Sequence, residues 1–320
     1  MDAAPEPAVE PDDLGRAPKL GTPPATRIGH TPLLRLRRVA PATAGVEVLG
    51  KAEWLNPGGS VKSRAAASIV AEARRSGALG PGRALLDATS GNTGIAYAMI
   101  GAALGFEVVL CVPRNASAER RRLLAAYGAR IVYTDPGQGT DGAIRRAREL
   151  AAEEPDRYFY ADQYSNDANW RAHYHGTASE IWEQTRGRVT HFLAVLGTSG
   201  TFVGTARRLK ELNPGIRCIS LQPDAPFHGI EGAKHMASAL VPRIYDPSLA
   251  DEDRGVSTEA AYAMAKRLAR EEGLLVGVSA AAAVVGSLDV ARSLRPPAVV
   301  VTILPDGGER YLSERFWEEP

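Results

Sequence analysis

Ala84-Leu85-Leu86-Asp87-Ala88-Thr89-Ser90-Gly91-Asn92-Thr93-Gly94-Ile95 reads as one βα unit. An apolar run from Ala84 to Asp87 predicts a strand, and a helical pattern follows from Ile95 to Leu104. Between them, Thr89 to Gly94 is built almost wholly of small or hydroxylated residues. Such a loop presents backbone N–H groups, hydroxyls and a helix N-terminus, the donor set that suits a carboxylate or a phosphate. A Ser/Thr capping turn would account for part of this hexapeptide, but a cap does not require all of it.

The same alternation extends along the chain in both directions. Short apolar runs at Val46 to Leu49, Val108 to Val112 and Arg130 to Tyr133 alternate with helical patterns at Ala65 to Arg75, Ala118 to Tyr127 and Gly142 to Glu153. A second series runs from the helix Thr177 to Thr185 through strands at Phe192 to Leu196, Cys218 to Gln222 and Ala298 to Leu304. Its further helices are expected at Phe202 to Leu212, Thr258 to Glu272 and Ala280 to Leu294. This rhythm predicts an α/β fold of two parallel-sheet domains with a ligand cleft between them.

Two further segments carry chemistry. Asn56-Pro57-Gly58-Gly59-Ser60-Val61-Lys62-Ser63-Arg64 is a Gly-rich turn that breaks the preceding strand and opens an alanine-rich helix, with Ser60 able to cap it. Lys62 then lies in the first helical turn, where the positive end of the helix dipole disfavours the ammonium form. An amine so placed is available as nucleophile and base, as a Schiff-base lysine must be. Gly197-Thr198-Ser199-Gly200-Thr201 repeats the strand, small-residue loop and helix arrangement after Phe192 to Leu196. It reads either as a second anion cradle or as a structural strand-to-helix turn. Neither a Gly-x-Gly-x-x-Gly spacing nor a closing Gly-Lys-Ser/Thr is present, so a phosphate without a nucleotide fits better.

Composition narrows the partners. The chain has 320 residues, 44% of them hydrophobic, and a net charge of +1, which gives no field to draw in nucleic acid or an anionic membrane. There is no apolar run near the ~18 residues of a bilayer span, nor the basic-then-apolar order of a signal peptide, so a cytoplasmic protein is expected. The two cysteines, Cys111 and Cys218, lie in apolar runs and suggest neither a disulfide framework nor a zinc site; no metal is expected. Met1 to Arg27 is rich in Pro, Ala and acidic residues and reads as a disordered extension.

Taken together, these segments resemble the fold-type II pyridoxal-phosphate enzymes of the cysteine synthase and cystathionine β-synthase family. Thr89 to Gly94 is identical to that family's substrate loop, and Asn56 to Arg64 is similar to its lysine motif. The resemblance continues through Ile28-Gly29-His30-Thr31-Pro32-Leu33, Gln163-Tyr164-Ser165-Asn166, Glu180-Ile181-Trp182, Gly277-Val278-Ser279 and Gly308-Glu309-Arg310-Tyr311-Leu312. It implies that pyridoxal 5'-phosphate is the cofactor, with Lys62 on its aldehyde, Gly197, Thr198, Ser199, Gly200 and Thr201 on its phosphate, Asn92 on its ring hydroxyl and Ser279 facing its ring nitrogen. Thr89, Ser90, Gly91, Thr93 and Gln163 would hold the substrate carboxylate. Gly229 and Lys234, in His228 to His235, would face the β-leaving group; the same segment also reads as a solvated basic loop. By the same resemblance, residues 28–50 and 160–320 form a larger cofactor-binding domain, residues 51–159 a smaller mobile domain, and the protein a homodimer.

The implied reaction is β-replacement on O-acetyl-L-serine by sulfide, giving L-cysteine through an aminoacrylate. A neutral serine at the ring nitrogen makes the cofactor a weaker electron sink, which favours β-elimination over transamination. O-phosphoserine, another nucleophile such as homocysteine, thiosulfate or an amine, and a non-catalytic regulatory role are the alternatives. The departures Gly277-Val278-Ser279-Ala280-Ala281-Ala282 and Gly176-Thr177-Ala178-Ser179-Glu180 bear on the substrate and nucleophile, because they leave Lys62 and both anion loops intact.

Overall fold

Strands that are apolar on both faces must be covered on both faces, and the chain does this twice. The computed structural model describes residues 23–40, 45–89 and 91–318. Ser90 and residues 1–22, most of the expected extension, lie outside the described residues. Residues 24–27 form a short 3-10 turn on which Ala25 is buried.

In chain order the first elements are β1 (Leu33–Arg35), β2 (Val46–Ala52), α1 (Lys62–Arg75), β3 (Ala84–Ala88) and α2 (Asn92–Leu104). Next come β4 (Val108–Pro113), α3 (Ala118–Ala126), β5 (Arg130–Thr134), α4 (Gly139–Glu153), β6 (Tyr158–Tyr160) and α5 (Asp167–Ala172). The chain continues with α6 (Ala178–Thr185), β7 (His191–Val195), α7 (Gly200–Leu212), β8 (Arg217–Pro223) and β9 (Glu252–Val256). It closes with α8 (Thr258–Arg267), α9 (Val278–Ser293) and β10 (Ala298–Leu304).

These elements divide into two compact units: the described residues through Gly29 with Asn56–Ala172, and His30–Leu55 with His173–Pro320. In the first, a parallel sheet of order β5-β4-β3-β6 is sandwiched by helices. Leu85, Val108, Leu110 and Val112 pack with α1 and α2, while Leu86, Val109 and Cys111 point to the opposite face and pack with Ala143, Ile144 and Ala147 of α4. The period of two is thus apolar on both sides, which is why these strands read as continuous hydrophobic runs.

The second unit holds a six-stranded sheet of order β1-β2-β10-β7-β8-β9, parallel except for the β1–β2 pair. Val48, Val300, Leu193 and Leu221 meet α8 and α9. Phe192 stacks on Phe202 of α7 with ring centroids 6.3 Å apart. Nearly every residue of α9 from Val278 to Ala291 is buried, consistent with its Ala/Val-rich sequence.

The sequence reading omits three strands, β1, β6 and β9, and each is a sheet edge. Edge strands are kept short or charged to prevent open-ended pairing, which removes the apolar signal. β9, Glu252-Asp253-Arg254-Gly255-Val256, is the clearest case. The expected helix 258–272 is α8 followed by a π-helical turn, Leu268–Glu272. Another π-helical turn, His173–Thr177, takes up the start of the expected helix 177–185, so that α6 begins at Ala178.

Candidate functional site

Both small-residue loops lie at the carboxyl ends of central parallel strands, where ligands bind in open α/β sheets. In the first unit, β3 ends at Ala88 and α2 starts at Asn92. The Thr89 Oγ1 accepts from the Gly91 and Gly94 N–H groups at 2.9 and 3.2 Å, so Thr89 caps α2 from within the loop. Thr93 Oγ1 donates to Gln163 Oε1 at 2.7 Å, and Gln163 Nε2 donates to the Ala88 carbonyl at 2.7 Å. Thr89, Thr93 and Gln163, all buried, are thereby joined in one cluster. Gly91 belongs to it for a steric reason: a Cβ there would lie 2.5 Å from Arg120 Cδ, against a buried arginine of α3. Asn92 is the first residue of α2, beside this cluster.

Asp87, which the sequence reading passes over, lies beneath the same loop. Its Oδ1 accepts from the Ala88 N–H at 2.8 Å and its Oδ2 from the Gln163 N–H at 3.4 Å. Burial pushes its carboxyl from 3.8 up to about 8, against the lowering effect of the Ala88 hydrogen bond. With its carboxyl pushed up to about 8, Asp87 adds little negative charge beneath the loop at neutral pH. The sequence signal was a lone acid closing an otherwise apolar parallel strand.

The folded chain therefore retains a proton that the unfolded chain releases between pH 3.8 and about 8. Stability must fall as pH rises through that interval, by up to about 1.4 kcal/mol per unit from this group alone. Asp87→Asn has no such slope, so its melting temperature should gain on that of the parent between pH 5.5 and pH 8. Thermal melts of the two proteins at both pH values check this, and a constant difference would mean that Asp87 is ionised in the fold.

Lys62 is the first residue of α1 and is partly buried. Its N–H donates to Ser60 Oγ at 3.3 Å, but the residue at the N-cap is Val61, which has no side-chain cap, so the expected capping by Ser60 is reduced to this one contact. The turn before it is fixed by Asn56, whose Oδ1 accepts from the Gly29 N–H at 2.8 Å, and by Gly59 at φ 68°. A Cβ at Gly58 would come within 2.5 Å of Ser63 Oγ, so the turn closes onto the helix start only with glycine there.

In the second unit, β7 leads into Gly197-Thr198-Ser199 and α7 begins at Gly200. Ser199 takes the left-handed conformation at φ 68°, and its buried Oγ has no hydrogen-bond partner. No side chain caps α7 and no acidic residue lies in its first turn. A buried, unsatisfied hydroxyl beside uncapped N–H groups fits an anion, and specifically a phosphate with its acceptor oxygens. Gly197 is required because a Cβ would strike the Gly232 carbonyl oxygen at 2.4 Å. That contact and the Lys234 N–H, which donates to the Leu196 carbonyl at 2.8 Å, bring buried Lys234 beside the loop.

Gly229 lies apart from Lys234, over α8: its N–H donates to Thr258 Oγ1 at 2.9 Å, and a Cβ would collide with Tyr262 Oη. Ser279, buried, is the second residue of α9. The start of that helix is held by the Gly277 N–H donating to the Asp306 carbonyl at 3.0 Å, while Tyr311 Oη donates to Asp306 Oδ2 at 2.6 Å. Ser90 lies outside the described residues, so its expected contact with a carboxylate has no structural counterpart.

A family model described as pyridoxal-phosphate dependent enzyme matches residues 25–306. A cysteine synthase of Aquifex aeolicus is 48% identical over 297 residues, covering 91% of each chain. The crystal structure of an O-ureido-L-serine synthase superposes with a TM-score of 0.88 at 38% identity, covering 94% of this chain and 96% of that one. A cysteine synthase from Entamoeba histolytica superposes with a TM-score of 0.89 at 35% identity, covering 95% and 94%.

Proposed function

Because the chain belongs to the pyridoxal-phosphate-dependent enzymes, and within them to the cysteine synthase group, we propose that it joins sulfide to the β-carbon of O-acetyl-L-serine, releasing acetate and L-cysteine. The observation that carries this reading is the Thr89, Thr93 and Gln163 cluster, a buried carboxylate-type loop in the unit that also bears Lys62. In this reading Lys62 Nζ anchors the cofactor aldehyde, the Gly197 to Thr201 loop receives its phosphate, Asn92 meets its ring hydroxyl and Ser279 faces its ring nitrogen. When bound, pyridoxal phosphate supplies the electron sink that acidifies the substrate Cα.

The chain's own residues supply the rest. Thr89, Ser90, Gly91, Thr93 and Gln163 would orient the substrate carboxylate, and Lys62 Nζ, set free once the substrate amine has displaced it from the aldehyde, would take the proton from Cα. The electron pair released there leaves with acetate from Cβ. Hydrosulfide then adds at Cβ, and Lys62 Nζ returns the proton to Cα. Lys234 lies beside the phosphate loop, and we assign it and Gly229 to the side of the leaving group.

The test is the visible absorbance of the purified holoenzyme on addition of O-acetylserine, followed by cysteine formation when sulfide is added. A spectrum unmoved by both O-acetylserine and O-phosphoserine would sink the proposal. The O-ureido-L-serine synthase among its structural neighbours favours a second reading, in which a ureido oxygen replaces sulfide as nucleophile. Competing sulfide, thiosulfate, homocysteine and hydroxyurea against one another, with O-acetylserine fixed, separates the two by product.

We also assign the protein to the cytoplasm, as a homodimer. Two free, buried cysteines suit a reducing compartment, and burial pushes each thiol up to about 12. No helix among the described residues is long and apolar enough to cross a membrane.

A further inference from the structure

The geometry points to His173 as the positioning residue that orients the phosphate-binding hydroxyl of Thr201. This rests on the reading of Gly197 to Thr201 as the cofactor's phosphate loop. His173 is 1% exposed and lies in the π-helical turn His173–Thr177, against the start of α7. Its Nδ1 is 2.9 Å from Thr177 Oγ1 and its Nε2 is 3.3 Å from Thr201 Oγ1. One imidazole ring thus bridges two hydroxyls, one of them on the anion loop and the other fully buried behind it. Inserted π-helical turns of this kind are common at functional sites.

The polarity of the bridge follows from the ligand. A phosphate dianion only accepts hydrogen bonds, so the Thr201 O–H must donate to it. Thr201 Oγ1 is then left to accept, and the donor facing it is His173 Nε2–H. A neutral ring with its proton on Nε2 has an accepting Nδ1, and the Thr177 O–H donates to that. The chain runs in one direction, from Thr177 through His173 and Thr201 to the phosphate. Without the ring, Thr201 is free to turn its hydrogen inward, and the loop loses an aimed donor. In Gly176-Thr177-Ala178-Ser179-Glu180 the departures lie at Gly176, Ala178 and Ser179, and Thr177, the residue this bridge needs, is retained.

The experiment uses full-length holoenzyme and its resolved apo form, titrated with pyridoxal phosphate and, separately, with pyridoxal, which lacks the phosphate. His173→Ala should weaken pyridoxal phosphate binding about ten- to a hundredfold, the loss expected for one hydrogen bond to a charged group, and leave pyridoxal binding within about twofold. His173→Gln, which can return an N–H toward Thr201, should recover most of that loss. Thr177→Val preserves shape and removes only the anchor at Nδ1; it should weaken pyridoxal phosphate binding by an intermediate factor, and it keeps the proposal testable if His173→Ala does not fold. In the parent holoenzyme, histidine 15N shifts should show the Nε2–H tautomer at His173. Parent-like pyridoxal phosphate affinity in both His173→Ala and Thr177→Val, an equal loss of affinity for pyridoxal, or an Nδ1–H tautomer would overturn the assignment of His173. A parent protein whose bound cofactor gives no immobilised 31P signal and that prefers pyridoxal phosphate no more than pyridoxal would instead remove the phosphate-loop reading itself.

Discussion

Lys62→Ala protein should fold, take up pyridoxal phosphate without a covalent bond, and turn over O-acetylserine at least about 10³-fold more slowly than the parent. Two roles vanish together in this variant: the amine that joins the cofactor and the base that moves the Cα proton. Base catalysis by a positioned side chain alone contributes about 10²- to 10⁴-fold, so the combined loss should reach at least the middle of that range. The fold should survive for local reasons. Lys62 is the first residue of α1, and the helix is held through Ala65, Ala66, Ile69, Val70 and Ala73, none of which changes. Alanine is the strongest helix former, and a change at a partly exposed helix start costs within about 0.5 kcal/mol in the apo protein. Intact mass after borohydride reduction is the check: the parent should gain the mass of the cofactor and the variant should not. Cofactor fixed by reduction in the variant would move the anchoring role to another lysine.

Lys51→Met should cost about 3–5 kcal/mol of stability, the usual result of stranding one partner of a buried ion pair. Lys51 is 0% exposed, and its Nζ donates to Glu180 Oε2 at 2.6 Å, to Gln184 Oε1 at 3.0 Å and to the Thr31 carbonyl. All three ammonium hydrogens are thereby satisfied. Glu180 Oε1 accepts from the His30 N–H at 3.0 Å, which helps hold His30 in its left-handed conformation at φ 51°. Thr31 Oγ1 adds a hydrogen bond to Glu53 Oε1 at 2.6 Å. Removing the cation leaves the Glu180 carboxylate buried without its counter-charge. Glu180→Gln in the Lys51→Met background removes that charge but keeps an acceptor for the His30 N–H, and should restore a substantial part of the loss. Urea denaturation of the parent, the single variants and the double variant measures the coupling; strictly additive losses would show that the pair is not energetically linked.

The parts of the fold legible in the sequence were those whose burial left a periodic trace. β3, β4, β7 and β10 are apolar on both faces, and the helices between them carry Ala-rich faces, so the α/β alternation followed directly. Among the edge strands, β1 and β6 left no such trace because each has three residues, and β9 because it is largely charged, whereas the edge strand β5, with five residues, was legible. The candidate site divides along a similar line. Lys62 and the two small-residue loops were legible because chain direction, glycine and hydroxyls coincide within a few residues. Asp87, Arg120 and His173 were not, since each is buried behind a loop and meets it through contacts made only in three dimensions. Arg120 is one of three consecutive arginines, and burial against Gly91 sets it apart from the exposed Arg121 and Arg122.

The close approach of Gly232 to Gly197 bears on how this enzyme can be re-engineered. With a carbonyl oxygen 2.4 Å from where a Cβ would sit, the loop assigned to the cofactor and the segment assigned to the leaving group share one steric allowance. Libraries that vary residues 228–235 to admit a new leaving group will therefore show epistasis with cofactor retention. Selections on substrate scope should include a screen for cofactor occupancy, because some variants lost from such a library will have failed at holding the coenzyme before they were ever tested on the substrate.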